Sequence, residues 1–408
     1  MSNAVIKKFE NFKGDKVLWG AIILLSILSI APVYSASSNL VYIVNNGTTI
    51  GHIFKHIVFI VLGLFLMRFV SMSKTQYLGK VFTLTLILSF ILLVITMVSG
   101  QTIEGASASR WLKIPGIGIS FQPSSIAYLS LIIYLCRLCT KYAGKPDLSF
   151  LELCFLYVPI LVVFGLVAKD NGSTAVMIFL VSLIVLILGS IKWKYVFGFV
   201  GLGGGLAVLF ILVALNTNLI KGNRIHTWMS RIENFTSKSS NENDEIQKSK
   251  NYQVMQAKAA IVHGGIVGIG PGKSALKQRL PQSASDFIFA IIVEEYGLVG
   301  VCVLLFLYTI ILFRIITIAT RTQGFFSTIT VLSLGVMIFV QLTVNIAVAV
   351  NIIPVTGQPL PLISYGGTSM LVTYVELGII LGISADIGIY DEEGISRKQT
   401  IEEINDIA

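Results

Sequence analysis

The stretch VFTLTLILSFILLVITMVS (residues 81–99) runs nineteen residues without a charge. Wound as an α-helix at 1.5 Å per residue it measures about 28 Å, close to the ~30 Å hydrocarbon thickness of a bilayer. Working outward from it, similar apolar runs fall near 17–36, 54–70, 122–140, 150–167, 174–191, 195–215, 287–313, 325–350 and 368–388. The run at 54–70 is short and spans only with little tilt. The expected fold is therefore all-α: a polytopic membrane helix bundle of about ten transmembrane helices, with a long extracytoplasmic loop between spans 7 and 8. The segments are a cytoplasmic N-terminal tail (1–16), a transmembrane domain (17–388, its long loop at 216–286) and a cytoplasmic C-terminal tail (389–408).

Composition agrees with the runs. Of 408 residues, 54% are hydrophobic and 12% charged, with mean hydropathy +0.82. A soluble domain carries roughly 25% charged residues, so a single water-soluble core is excluded. No nucleic-acid partner is expected. The N-terminus imitates a secretory signal, with Lys7, Lys8, Lys13 and Lys16 before the first apolar run and Ser35, Ala36 and Ser37 after it. That run is long enough to span and many spans follow, which predicts an uncleaved first helix. Cys136 and Cys139 form a CxxC with no second pair beside it, and His52 and His56 lack the glutamate of an HExxH zinc site. Both pairs read as packing residues.

Ten spans put both termini on one side, and basic residues choose which. With the N-terminus inside, the cytoplasmic segments hold sixteen of the thirty Lys and Arg, and the short outer loops hold only Lys55, Arg110, Lys113 and Lys169. The rest lie in 216–286, and long loops translocate largely regardless of charge. The expectation is a multi-pass inner-membrane protein with cytoplasmic termini. Polar segments 100–121, 168–173, 216–286 and 351–367 then share the outer face, where function is expected.

Within the long loop, SSNENDEIQKSK (239–250) reads as mobile, and Tyr252, Met255, Ala259 and Val262 recur at helical spacing. They predict an amphipathic helix on the membrane surface or on the bundle. The loop holds ten basic and five acidic residues. It is either a charge-balanced solvated segment or one that attracts an anionic partner such as a lipid phosphate. GIGPGKS (268–274) is not a nucleotide-binding loop, because that motif needs glycine where Val267 stands.

Ionisable residues in membrane helices are costly and so invite explanation. Glu294, Glu295 and Glu376 lie within spans and read as structural intramembrane acids bonded to polar groups between helices. Glu294 and Glu295 sit about 12 Å below Asp286 along the helix. Asp170 lies in a short outer turn, and Gly198, Gly201, Gly203, Gly204 and Gly205 read as close-packing positions. Asp286 differs, standing at the outer mouth of its helix beside Lys273, Lys277 and Arg279. A carboxylate there can accept a hydroxyl proton while nearby cations stabilise a departing phosphate. It can equally be the N-cap of the helix that follows.

Three motifs in order resemble the SEDS (shape, elongation, division and sporulation) family. They are GASASRWLKIPGIGISFQPSS (105–125), GGIVGIGPGKSALKQRLPQSASDFIFAIIVEEYGLVG (264–300) and PVTGQPLPLISYGGTS (354–369). The likeness extends from about 15 to 388, and GPGKS and IVEEYG resemble the division member, FtsW, more than the elongation member, RodA. It implies a peptidoglycan glycosyltransferase that polymerises lipid II, working with a class B penicillin-binding protein and other division proteins. The family's essential aspartate is matched by Asp286. Arg110, Lys113, Gln122, Lys273, Lys277, Arg279, Gly357 and Ser364 are the expected substrate-binding positions. The acceptor 4-hydroxyl would lose its proton to Asp286 as it attacks C1 with inversion, releasing undecaprenyl pyrophosphate. Basic side chains, or a divalent metal (Mg or Mn), would offset the leaving charge. No other cofactor is implied. The alternatives are a lipid II transporter and a non-catalytic division scaffold. The chain departs from the family pattern at Ser125 and Tyr128, where a glutamate and a lysine are usual, in the turn KDNGSTA (169–175), and at Gln358.

Overall fold

The computed structural model describes residues 13–42, 48–100, 111–113, 120–216, 245–275 and 283–407. Helices occupy all ten expected runs. In chain order they are α1 (Lys16–Leu28) with α2 (Ile30–Tyr42), α3 (Thr49–Ser71), α4 (Thr75–Ser99), α5 (Pro123–Tyr142), α6 (Phe150–Ala168), α7 (Gly172–Leu188) and α8 (Trp193–Asn216). After the long loop come α9 (Glu245–Gly264), α10 (Ile288–Arg321), α11 (Phe325–Ala349) and α12 (Gly367–Ile407). Among the described residues, eight helical segments are long and apolar enough to cross a membrane, with α7 a shorter apolar helix. A two-residue hairpin, β1 (Leu112–Lys113) on β2 (Ser120–Phe121), pairs Leu112 with Phe121 and Lys113 with Ser120.

The first span is interrupted at Ser29, because Pro32 lacks the N–H that would bond the Leu28 carbonyl. Its buried face of Leu18, Trp19, Ile22 and Leu25 packs on α10. Asp15 caps α1, accepting from the Leu18 N–H at 2.8 Å, and it also pairs with Arg314 of α10. The Asp15 N–H donates to Ser384 of α12 at 2.9 Å, so three helices are tied at one end of the bundle. Helix α12 packs along α3, where Gly63 lies against the Tyr374 ring. At the bundle's centre α5, α7, α10, α11 and the first half of α12 are mutually buried. Helices α3, α4 and α6 expose apolar side chains such as Phe65, Leu84 and Phe155 outward, as lipid-facing helices do.

Several sequence expectations need correction. The second span begins at Thr49, not 54, capped by the Thr48 side chain. His52 and His56, which depress the hydropathy there, are buried and bonded to Tyr365 and Ser29. Residues 245–250 are helical rather than an irregular linker. Helix α9 turns Met255 and Val262 outward and packs through Ala257 and Ala260, because small side chains let its backbone approach α10. A Cβ on Gly264 would stand 2.0 Å from the Val293 carbonyl oxygen. The last helix continues to Ile407 through the segment read as a tail.

Candidate active site

Between α11 and α12 the chain runs irregularly from Val350 to Gly366. Pro354, Pro359 and Pro361 forbid a continuous helix here, and Gly357 adopts φ 70°. Backbone groups freed at this depth must find protein partners. Gln341 of α11 donates to the Pro359 carbonyl at 3.1 Å, Tyr308 of α10 donates to that of Pro361, and the Leu360 N–H donates to Ser364 Oγ at 2.7 Å. Gln358 in turn donates its side-chain amide to Thr174 of α7 at 2.6 Å. The strap is thus held from three helices.

The strap grips the turn that carries Asp286. The Tyr365 N–H donates to the Ala284 carbonyl at 2.8 Å, and Ser364 Oγ donates to that of Ser285 at 2.6 Å. Asn345 of α11 spans both pieces, its amide nitrogen donating to the carbonyls of Asp286 (3.0 Å) and Gln358 (2.7 Å). Asp286 is half-buried, one residue before the cap of α10. That cap is Phe287, whose own side chain makes no capping bond. The backbone of Asp286 is fixed at three consecutive carbonyls, Ala284 to Asp286.

Helix α10 is broken below this turn. Gly297 sits at φ 63°, ψ −165°, a conformation essentially reserved to glycine. The break frees the carbonyls of Glu294 and Glu295 and the N–H groups of Leu298 and Val299, which would otherwise bond one another. The loop after α9 takes all four. Ile269 and Gly270 donate to the Glu294 and Glu295 carbonyls (both 3.0 Å), and the Gly265 and Ile266 carbonyls accept from Leu298 (3.1 Å) and Val299 (3.2 Å). The two carboxylates reinforce the joint. Glu294 accepts from Ser274 Oγ and the Ala275 N–H (3.2 Å) and contacts His263 Nδ1 at 3.1 Å. Glu295 accepts from Ser35 Oγ of α2 and the Ser274 N–H (3.3 Å). The glycines of GIVGIGPG therefore serve a backbone splice between the loop after α9 and a broken membrane helix.

Beside the strap lies a cavity of about 50 Å³, lined by hydroxyl, amide and apolar side chains and bounded by α5, α7, α11 and α12. Gln122 and Gly357, expected to bind substrate, line it. The Gln122 N–H also donates to Thr368 at 3.2 Å, joining the hairpin segment to α12. Glu376 and Tyr128 line it as well. Asp286 does not; it is joined to the cavity wall through Asn345 and Gln358. Ser364 is buried as a strap bond rather than facing the cavity. Lys113 on the hairpin and Lys273 after the glycine turn are exposed. Arg110, Lys277 and Arg279 lie outside the described residues. Sequence reasoning missed Asn345 and Gln341. Their signal was present, since a lone amide in an otherwise apolar membrane helix needs a polar partner.

These features define a polytopic membrane protein in which a strap between two helices fixes the turn bearing one carboxylate. The family model described as "Cell cycle protein" (FTSW_RODA_SPOVE) matches residues 15–387, and the chain belongs to this family, the SEDS proteins. It is similar to the "Probable peptidoglycan glycosyltransferase FtsW" of Enterococcus hirae, 29% identical over 388 residues, covering 92% of this chain and 94% of that protein. It is also similar to the "Peptidoglycan glycosyltransferase MrdB" of Escherichia coli K12, 32% identical over 373 residues, covering 90% and 94%. Among solved structures it shares its fold with a chain from "Structural coordination of polymerization and crosslinking by a peptidoglycan synthase complex". That match has TM-score 0.69 and 24% identity, covering 92% of this chain and 98% of that one. A second match is Thermus thermophilus "Rod shape determining protein RodA", with TM-score 0.62, 23% identity and coverage of 91% and 97%.

Proposed function

We infer that this chain is a peptidoglycan glycosyltransferase, polymerising lipid II into glycan strands at the outer face of a bacterial inner membrane during cell division. Both termini are cytoplasmic in this reading, and a class B penicillin-binding protein is the partner that crosslinks the strands. Relatives named for the activity, matched over nine-tenths of the chain, support the reaction. The observation that carries the site is the fixing of the Asp286 turn by Tyr365, Ser364 and Asn345.

Asp286 accepts the proton of the acceptor sugar's 4-hydroxyl while that oxygen bonds to C1 of the donor. The bond from C1 to the pyrophosphate oxygen breaks with inversion, and undecaprenyl pyrophosphate leaves. Arg110, Lys113, Lys273, Lys277 and Arg279 supply positive charge on the outer face. Both substrates are lipid-anchored, so they meet already confined to one leaflet. Among the described residues no group of three His, Cys, Asp or Glu side chains gathers. No step is assigned to Mg or Mn.

A transporter would use a broken helix and membrane-depth acids to bind its cargo. Here the groups freed at Gly297 are bonded to the outer loop, and Glu294 accepts from Ser274 and Ala275, which favours the enzyme. The test is incubation of labelled lipid II with wild type, Asp286→Asn and Asp286→Ala, each purified with a cognate transpeptidase. Loss of polymer in folded, partner-bound variants is expected. Undiminished polymer from Asp286→Asn would overturn the base assignment, and leaflet movement without polymer would favour transport.

A further inference from the structure

The cavity beside the strap carries two buried side chains to which the reaction gives no role. Glu376 of α12 is 1% exposed and Tyr128 of α5 is 4% exposed, and both line the cavity. Glu376 Oε2 and Tyr128 Oη have no hydrogen-bond partner. Buried polar atoms are rarely left so. Among the described lining residues there is one acid and no base. The remaining polar groups are hydroxyls and amides. Gln341 commits its nitrogen to Pro359 O, leaving its carbonyl end for the cavity, and Thr373 donates to Ser369 O at 3.0 Å, leaving its lone pairs.

We propose that this cavity binds one partly dehydrated alkali-metal cation, coordinated by Glu376 and by hydroxyl and amide oxygens from α5, α11 and α12. A bound cation favours the ionised form of Glu376, and that one negative charge among neutral oxygens balances a monovalent ion. A calcium-type site gathers several carboxylates, and a soft metal requires thiolate or imidazole; neither set lines the cavity. About 50 Å³ holds an ion with a water or two. An anionic diphosphate is not an occupant that a lone buried carboxylate would accept. The bound ion would join α5 to α12 directly beneath Gln358 and Pro359, and so stiffen the strap that holds Asp286. The proposal stands independently of the polymerase assignment.

The test is thermal unfolding of the full purified chain at fixed ionic strength, replacing N-methyl-D-glucamine chloride by NaCl or KCl. Binding to the folded state alone raises the midpoint with ion concentration, and a saturable rise of about 2 °C or more is expected for one alkali cation. Glu376→Gln should fold and lose that rise. In parallel, equilibrium binding of ²²Na⁺ or ⁸⁶Rb⁺ to wild type should saturate near one ion per chain. It should be displaced by unlabelled alkali cation and not by choline, and weakened in Tyr128→Phe. This arm reads the site even if Glu376→Gln does not fold. Identical midpoints in all chlorides without saturable isotope binding would overturn the proposal. So would a rise retained in Glu376→Gln, or a preference for Mg²⁺.

Discussion

Substituting Gly297 by alanine tests whether the splice between the loop after α9 and α10 holds the membrane domain together. Two penalties follow from the coordinates. At φ 63°, ψ −165° an L-residue is strained by about 1–3 kcal/mol. A Cβ there would also lie 2.4 Å from the Gly268 nitrogen and from the Ile266 carbonyl oxygen, so residues 266–268 must move away. Their retreat carries Gly265, Ile269 and Gly270 with it, so four backbone hydrogen bonds are lost, at about 0.5–1.5 kcal/mol each. The total is at least about 3 kcal/mol, or roughly a 6 °C fall in midpoint at ~2 °C per kcal/mol. Thermal unfolding in detergent reads the fall, and hydrogen exchange should speed at 265–270 and 294–299. Gly201→Ala is the control: no atom lies within 4 Å of its Cβ and its φ is not positive, so helix propensity alone predicts slight stabilisation. A Gly297→Ala protein within about 1 kcal/mol of wild type, with exchange unchanged, would refute the splice.

Asn345→Leu removes the donor shared by Asp286 O and Gln358 O; kcat for lipid II polymerisation should fall about 10–100-fold with KM near wild type, because positioning and not binding is lost. Equal changes in both parameters would argue against a positioning role. Gly63→Ala places a methyl 2.0 Å from Tyr374, whose hydroxyl is held 2.6 Å from Ser26. Overpacking between α3 and α12 should destabilise by about 1–3 kcal/mol in thermal unfolding. Asp147, in the loop between α5 and α6, is held below its usual 3.8 by hydrogen bonds from Lys194 and Tyr195. A depressed folded value gives stability that is present above the unfolded value and lost as pH falls through the folded one. Any difference between wild type and Asp147→Asn should therefore be seen near neutrality and vanish in acid, and high salt should shrink it.

The spans were legible because lipid imposes a length. A run such as 81–99 has no other stable use, and α4 covers it. Boundaries failed where polar residues are buried by bonding rather than excluded by polarity. His52 and His56 made the second span look short, yet each meets a hydroxyl from another part of the bundle, and the helix starts at Thr49. Helix α9 was predicted from periodicity, but its buried side was not. Apolarity points to Met255 and Val262, whereas close approach to α10 selects Ala257 and Ala260.

The acids show where sequence reading stops. Asp286, Glu294, Glu295 and Glu376 carry the same functional group, and the backbone nearby does much to separate them. Glu294 and Glu295 flank a helix break whose loop brings its own donors, so their carboxylates complete a structural joint. Asp286 lies in a turn whose carbonyls are held from the strap and α11, which fixes the backbone bearing its side chain. Glu376 stands in an unbroken helix facing a cavity, with one oxygen unpartnered. Motif order hinted at the first two environments, since glycine runs precede both the Glu294–Glu295 pair and the start of α12. Nothing in sequence places Tyr128 and Glu376 across one space, because that pairing exists only once α5 and α12 cross. A carboxylate's role in this bundle is set by where the irregular backbone runs, and substitutions of glycines and amides should divide these roles more cleanly than substitutions of the acids themselves.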